Sequence, residues 1–452
     1  MKMRTWRPHR AMAAIAISCA VMVAGCAYSL ISGGKVNETL ASNVEQGIQG
    51  IRELSFKQHV PLVLKNPDEV EQMVIADLHR DYTDAQLDAD GKAGAMLALF
   101  PVGMDLKAES VKLLKSQIAG FYDPHEKQMV LVQGVATAGF GDRMLEFMVQ
   151  RDLVNDMLLA HELTHALQDQ NFALQDQLDK LKDSSDEELA LKSVAEGDAT
   201  LAGFAYIAGR MDNSIAETLN ANLKDLPETF AAQSKDIPEG ISYPLIFQYS
   251  DGVRFVSEAY KRGGWKGVDA LYSKPPQSTQ QIIDPSLYFD RPLEPVAVEV
   301  AGYQTILKEW TNADADTFGE LSIQLILQLG YGKDAPEVAV AKNWAGDRMV
   351  ILSHGADVAV LWITAFRDDE SARRFEESYR KLLDRVRAST PHYIERRGSA
   401  VLVIAGAVAN QSSTLASAVW KASKIGQVKP FAGPAHPLQA DAIGSDGVIR
   451  AQ

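Results

Sequence analysis

Within the stretch LLAHELTHALQDQNF, Leu158 to Phe172, the residues His161, Glu162 and His165 stand in the order H-E-x-x-H among apolar neighbours. The longer segment RDLVNDMLLAHELTHALQDQNF has the spacing of a helix, with Leu153, Met157, Leu158 and Leu167 along one broad face. A helix this apolar belongs in a core. Two imidazoles and a carboxylate buried with it are expensive unless a metal or hydrogen-bond partners receive them. His161 and His165 are four apart and project from the same side, so both can reach one metal ion. Glu162 lies beside them, placed to hold a water molecule rather than to complete the ligand set. Composition alone would produce the pattern in on the order of one chain in a hundred of this length, so the apolar flanks carry much of the weight.

A catalytic zinc site takes three protein ligands and leaves a fourth position open. The metzincin continuation would need Gly at 168 and His at 171, and the chain has Gln168 and Asn171. The better third ligand is Glu196, in SVAEGDATLAGF, Ser193 to Phe204. Upstream, SSDEE offers a capping box, Ser185 with Glu188, that starts a second helix. Ala195, Gly197, Ala199, Thr200 and Gly203 surround Glu196, and residues this small let the second helix approach the first closely, as a shared metal requires. The cysteines are Cys19 and Cys26, both near the N-terminus, so zinc falls to histidines and carboxylates.

The first 26 residues read as an address. Lys2, Arg4, Arg7 and Arg10 precede an apolar run, Ala11 to Val23, that is too short for a comfortable membrane span. The run ends in VAGC, which resembles the lipobox of bacterial lipoproteins, in which the cysteine, here Cys26, is lipidated and becomes the new N-terminus. Processing there would remove four basic and no acidic residues, taking the net charge from −14 to −18. A surface so acidic argues against nucleic acid or anionic lipid as partner. Membrane attachment then comes from acyl chains, and the location is extracytoplasmic, on the periplasmic face of an outer membrane where one exists.

Residues 27–43 read as a polar tether. Val60 to Leu64 (VPLVL) is a candidate strand, and KNPDEVEQMV starts a helix with Asn66 as N-cap and Pro67 in the first position. AGFYDPHEKQMVLVQ, Ala119 to Gln133, is a candidate β-hairpin just ahead of the H-E-x-x-H helix. Asp284 to Pro295 is proline-rich without helical period and marks a boundary. Beyond it RMVILS, VAVLWITAF and AVLVIAGAV are strand-like, with the amphipathic helix DESARRFEESYRKLLDRV between the last two. The organisation expected is α+β: a zinc peptidase domain over 44–290, a smaller α+β domain over 296–428, and a Pro- and Gly-rich tail over 429–452.

AHELTHALQDQ followed by an EGDA helix resembles the gluzincin group of zinc metallopeptidases. That resemblance implies His161, His165 and Glu196 as zinc ligands and Glu162 as general base. It also implies a small mixed sheet above the active helix, whose edge strand holds an extended peptide or protein substrate by backbone pairing. The gap of 30 residues between His165 and Glu196 is longer than in the best-known gluzincins, and the acidic loop QLDKLKDSSDEE accounts for it. Gluzincins also supply a Tyr or His to the oxyanion; Tyr249, just before Gly252 at the start of an expected helix, is the choice here. Tyr249 to Pro285 and Asn343 to Leu352 are similar to segments of a little-characterised set of bacterial and archaeal relatives. Gln280 and Asp284 stand where Glu and His would be expected, so no chemistry rests on that loop. Asp198 and Asp169 are both candidates to orient a ligating histidine. In NWAGDR, Asp347 and Arg348 are expected to pair with each other or a neighbour rather than act on substrate. The rival functions are a zinc-binding scaffold or chaperone-like lipoprotein without turnover, which the intact Glu162 argues against, and a metal amidase acting on cell-wall peptides.

Overall fold

The structure, a computed structural model, describes residues 31–32, 35–115, 120–133, 154–233 and 236–428. Cys26, Leu153, Ala119 and the tail 429–452 lie outside the described residues. The fold is α+β, and its described residues form a three-stranded and a five-stranded sheet and two short two-stranded pairings.

The first helix, α1, spans Glu38–Arg52. It begins inside the stretch expected to be a tether, because Asn37 accepts the Leu40 N–H at 3.2 Å and so caps it. Ala41, Val44 and Ile48 recur at helical spacing and are buried in the main core. Strand β1 (Leu62–Lys65) starts later than VPLVL suggests. Pro61 has no N–H to donate, and the pairing opens instead on its carbonyl, which accepts from Met129 N at 2.8 Å. Helix α2 (Pro67–Asp81) has the expected cap, and Glu69 answers Asn66 in a full capping box. After α3 (Asp84–Met96) and α4 (Leu106–Lys115) come β2 (Gly120–Asp123) and β3 (Gln128–Val132), the expected hairpin. Its turn is tied by Asp123, whose carboxylate accepts from the N–H groups of His125 and Glu126. The strand order is β1-β3-β2, with β1 parallel and β2 antiparallel to β3, so β2 is an edge strand of a small mixed sheet.

Three helices build the core below. They are α5 (Val154–Phe172), α6 (Ser185–Ala208) and α7 (Glu239–Ser273). Leu163 and Leu167 of α5, Val194 and Leu201 of α6, and Val253 and Phe255 of α7 are all buried there. Small residues make this stack possible. A Cβ on Gly197 would lie 2.4 Å from the Gly252 carbonyl oxygen of α7, and one on Gly203 would lie 3.3 Å from the Met157 oxygen of α5. Helix α6 is thus pressed between its two neighbours.

The start of α6 corrects an expectation. Ser185 and Glu188 form no capping box: Ser185 is already the first helical residue, and Glu188 pairs with Lys192 at 2.6 Å. The cap comes from the far half of the chain, where the Asp316 carboxylate accepts the Ser185 N–H at 2.7 Å and the Thr317 carbonyl accepts that of Asp186 at 3.1 Å.

That far half holds β4 (Thr311–Asp316), α8 (Gly319–Tyr331), β5 (Trp344–His354), β6 (Asp357–Phe366), α9 (Asp369–Val386), β7 (His392–Arg397), β8 (Ala400–Gly406) and α10 (Ser412–Ala422). The five strands form an antiparallel sheet in the order β7-β8-β6-β5-β4. The Asp284–Pro295 stretch is not free of helix, since Ser286–Phe289 makes one turn whose start Asp284 ties by accepting from the Ser286 N–H and hydroxyl. The boundary near residue 290 does not separate two cores either. Ala89, Ala93 and Leu97, from α3 and its end, are buried in the core of the second sheet with Trp362, Phe375 and Tyr379. The Tyr379 hydroxyl donates to the Leu97 carbonyl at 3.0 Å, and Arg387 donates to the carbonyls of Ala95 and Phe100. Among the described residues no helix is long and apolar enough to cross a membrane.

Candidate metal centre

Helix α5 places His161 and His165 one turn apart, with their Nε2 atoms 3.1 Å from each other. Glu196 reaches them from α6: its Oε2 lies 3.3 Å from His161 Nε2, and its Oε1 lies 3.6 Å from His165 Nε2. Donors about 2.0–2.1 Å from a tetrahedral zinc lie about 3.3 Å from one another, so the three side chains stand as three corners around one point. Glu196 Oε2 is buried with no hydrogen-bond donor of its own. A buried carboxylate oxygen left in that condition fits a cation better than an empty space.

The electrostatics agree. Burial alone would raise the Glu196 carboxyl, but the two histidines outweigh it and hold the group well below the usual carboxylate range. Burial likewise opposes a charge on His165, yet the Glu196 and Glu162 carboxylates push its pKa up to about 9. The pair is therefore an anion facing positive charge, the arrangement a metal ion would take over.

Glu162 points toward the hairpin. Its Oε2 accepts the Tyr122 N–H of edge strand β2 at 3.0 Å. Burial raises its pKa, against the opposing pull of the two histidines. Glu162, both histidines and Glu196 line one cleft of about 420 Å³, walled by Phe121 and Tyr122 of the hairpin and by Leu158, Leu178 and Leu245.

Tyr249 also lines this cleft, its ring centroid 6.3 Å from that of His161 and tilted by 28°. It does not start a helix, as its place before Gly252 suggested. It lies well inside α7, which begins at Glu239 and runs through Pro244. Burial, with the carboxylates of Glu196 and Glu162, raises the phenol well above its ordinary pKa, and its hydroxyl hydrogen-bonds Glu196.

Neither aspartate chosen to orient a histidine does so directly. Asp169, on the next turn of α5, accepts from the Tyr122 hydroxyl at 3.0 Å and from Lys127 Nζ at 2.5 Å, which ties the hairpin to the helix. Asp198 points away from the cleft and is paired with the buried Arg52, Nε to Oδ1 at 2.7 Å. The group on His165 is Gln168, whose Oε1 lies 2.9 Å from Nδ1. Gln168 stands three residues after His165, a helical neighbour by spacing alone, and that signal was available in the sequence. Arg52 carried none.

The remaining residues singled out above are structural. Asp347 and Arg348 do not pair, because successive strand residues face opposite sides of the sheet. Asp347 is buried and accepts from Phe318 N, Gly319 N, Trp344 Nε1 and Trp362 Nε1, at 2.9–3.0 Å. Arg348 reaches the Asp183 carbonyl. Gln280 lies between the two halves, donating to Glu320 at 2.8 Å and to the carbonyls of Lys342 and Trp344.

Residues 304–419 are similar to a domain of unknown function (DUF8575), a match confined to the second sheet and its helices. No curated protein and no solved structure matches the chain.

Proposed function

We propose that the protein is a zinc-dependent peptide hydrolase of gluzincin type, attached to a bacterial membrane through a lipid on Cys26 and facing away from the cytoplasm. The observation that carries the reading is the mutual spacing of His161, His165 and Glu196, with the Glu162 carboxylate beside them in the same cleft. His161 and His165 would hold the ion through Nε2 and Glu196 through its carboxylate. Zinc bound there would supply Lewis acidity toward a carbonyl oxygen and toward water.

The chain's own groups do the rest. Glu162 takes a proton from the attacking water and passes it to the leaving amine. Its raised pKa suits that exchange, because a carboxyl brought nearer neutrality both accepts and returns a proton. The Tyr122 N–H holds the carboxylate in place. Tyr249 keeps its phenolic proton at neutral pH and can donate it as a hydrogen bond to the oxygen on which negative charge develops. The edge of β2 offers backbone groups to an extended peptide lying along the cleft. The test is cleavage of an unstructured protein by the zinc-loaded wild type beside Glu162→Gln. Loss of turnover by several orders of magnitude with zinc retained is expected, and undiminished cleavage by Glu162→Gln would sink the mechanism.

A further inference from the structure

Behind His165 lies a chain of buried polar groups that the hydrolytic scheme does not use. Gln168 Oε1 is 2.9 Å from His165 Nδ1, while Gln168 Nε2 is 2.9 Å from the Ala195 carbonyl oxygen and 3.1 Å from Asp198 Oδ2. A backbone carbonyl and a carboxylate can only accept. The nitrogen end of the Gln168 amide must therefore face them, which turns its oxygen to His165. An oxygen in that place accepts, so His165 keeps a proton on Nδ1, and the neutral ring, the form that can bind a metal, has its lone pair on Nε2, directed at His161 and Glu196.

Asp198 in turn accepts from two further side chains. Arg52 donates to it through Nε at 2.7 Å and Nη2 at 3.2 Å, and the Tyr272 hydroxyl donates at 2.8 Å. Arg52 is fully buried, lies over the Trp265 ring at 4.6 Å and reaches Asp269 at 2.7 Å as well. A guanidinium does not give up its proton in a protein, so this anchor has one protonation state. The polarity of the chain is thus set at Arg52 and carried through Asp198 and Gln168 to the imidazole.

From this geometry we propose that Gln168, held by Asp198 and Arg52, is a positioning residue that fixes the tautomer of His165 and so its competence as a metal ligand. The proposal rests on the metal-site reading above. A reversed Gln168 amide would put N–H against Nδ1, drive the proton to Nε2 and block the ligand atom. Asp198→Asn makes that reversal available, because the new amide can donate to Gln168 where the carboxylate could only accept. Gln168→Met keeps the side chain's length and removes the acceptor.

The test uses the full chain as wild type, Gln168→Met and Asp198→Asn. Zinc affinity is measured by competition with a chromophoric chelator, and the exchangeable Nδ1–H of His165 is followed by proton NMR in the cobalt(II) derivative. The wild type should bind zinc and show a slowly exchanging Nδ1–H. Each variant should bind about 10- to 100-fold more weakly and lose or shift that resonance. Should Gln168→Met fail to fold, Asp198→Asn, which is isosteric, decides alone. A folded variant with wild-type affinity and an unmoved resonance overturns the tautomer proposal and leaves the metal site standing. A wild type that binds no zinc removes the metal site, and this proposal with it.

Discussion

Alanine in place of glycine inside a helix ordinarily stabilises it by about 0.5–1 kcal/mol. Gly197→Ala should do the reverse. The added Cβ would meet the Gly252 carbonyl oxygen at 2.4 Å, the Gly252 carbonyl carbon at 2.5 Å and Val253 N at 2.9 Å. Every one of these is a backbone atom, so no side chain can turn aside. Restoring ordinary contact, at about 3.5 Å, requires α6 and α7 to part by about 1 Å. Overpacking of this kind costs about 1–3 kcal/mol, and a gap of that width forfeits about a quarter to a half of the dispersion energy between the surfaces it opens. The net expectation is a loss of about 1–3 kcal/mol. The site should suffer too, because Glu196 immediately precedes Gly197 and Tyr249 lies one turn before Gly252, and the two side chains are hydrogen-bonded across this crossing. Gly50→Ala on α1 is the control, since nothing lies within 4 Å of the Cβ it would add, and it should gain about 0.5–1 kcal/mol. Urea unfolding of the three proteins gives the comparison. A Gly197→Ala chain as stable as wild type would refute the close crossing, and with it the packing argument for Glu196.

Three further outcomes follow from the buried carboxylates and the N-terminus. Burial lifts the Asp186 carboxyl to about 8, above the roughly 3.9 of an unfolded chain, so its contribution to stability is whole below about pH 4 and is lost as pH rises toward 8. Asp186→Asn keeps an acceptor for Thr279 and escapes this loss; its melting-temperature advantage over wild type should widen between pH 4 and pH 8, and parallel profiles would contradict the assignment. Asp347→Ala orphans the four donors around it and should destabilise by at least about 3 kcal/mol in chemical unfolding, while the folded fraction turns over a short peptide normally. Cys26→Ser should move the protein from the membrane to the soluble fraction, and retention after a high-salt wash would mean that another segment anchors it.

Short-range physics was legible in the sequence. The Asn66–Pro67 start of α2, the hairpin tied at Asp123, and the strands and amphipathic helix of the second half all follow from local spacing. So did the pairing of His161 with His165, because helical geometry brings them together without help from the rest of the chain. The closeness of Glu196 was readable for a related reason, since a run of small residues has few uses besides letting two helices touch. The expectations that needed correction depended on distant segments. The start of α6 is capped by Asp316, more than a hundred residues away, and no local spacing around Ser185 announces such a partner. Residues 84–100 join the second core because of partners at 362–379 that no local pattern announces. Asp198 is expected from the sequence to orient a ligating histidine directly, yet its hydrogen bonds go to Gln168 and Arg52.

We propose that His161, His165 and Glu196 together hold one metal ion. Elemental analysis of the purified full chain, wild type beside Glu196→Ala, tests it most directly. The expected result is one zinc per chain in the wild type and little or none in Glu196→Ala, with the far-UV circular dichroism of the two superimposable. A wild type without zinc after loading, or a Glu196→Ala chain that keeps its full complement, would contradict it.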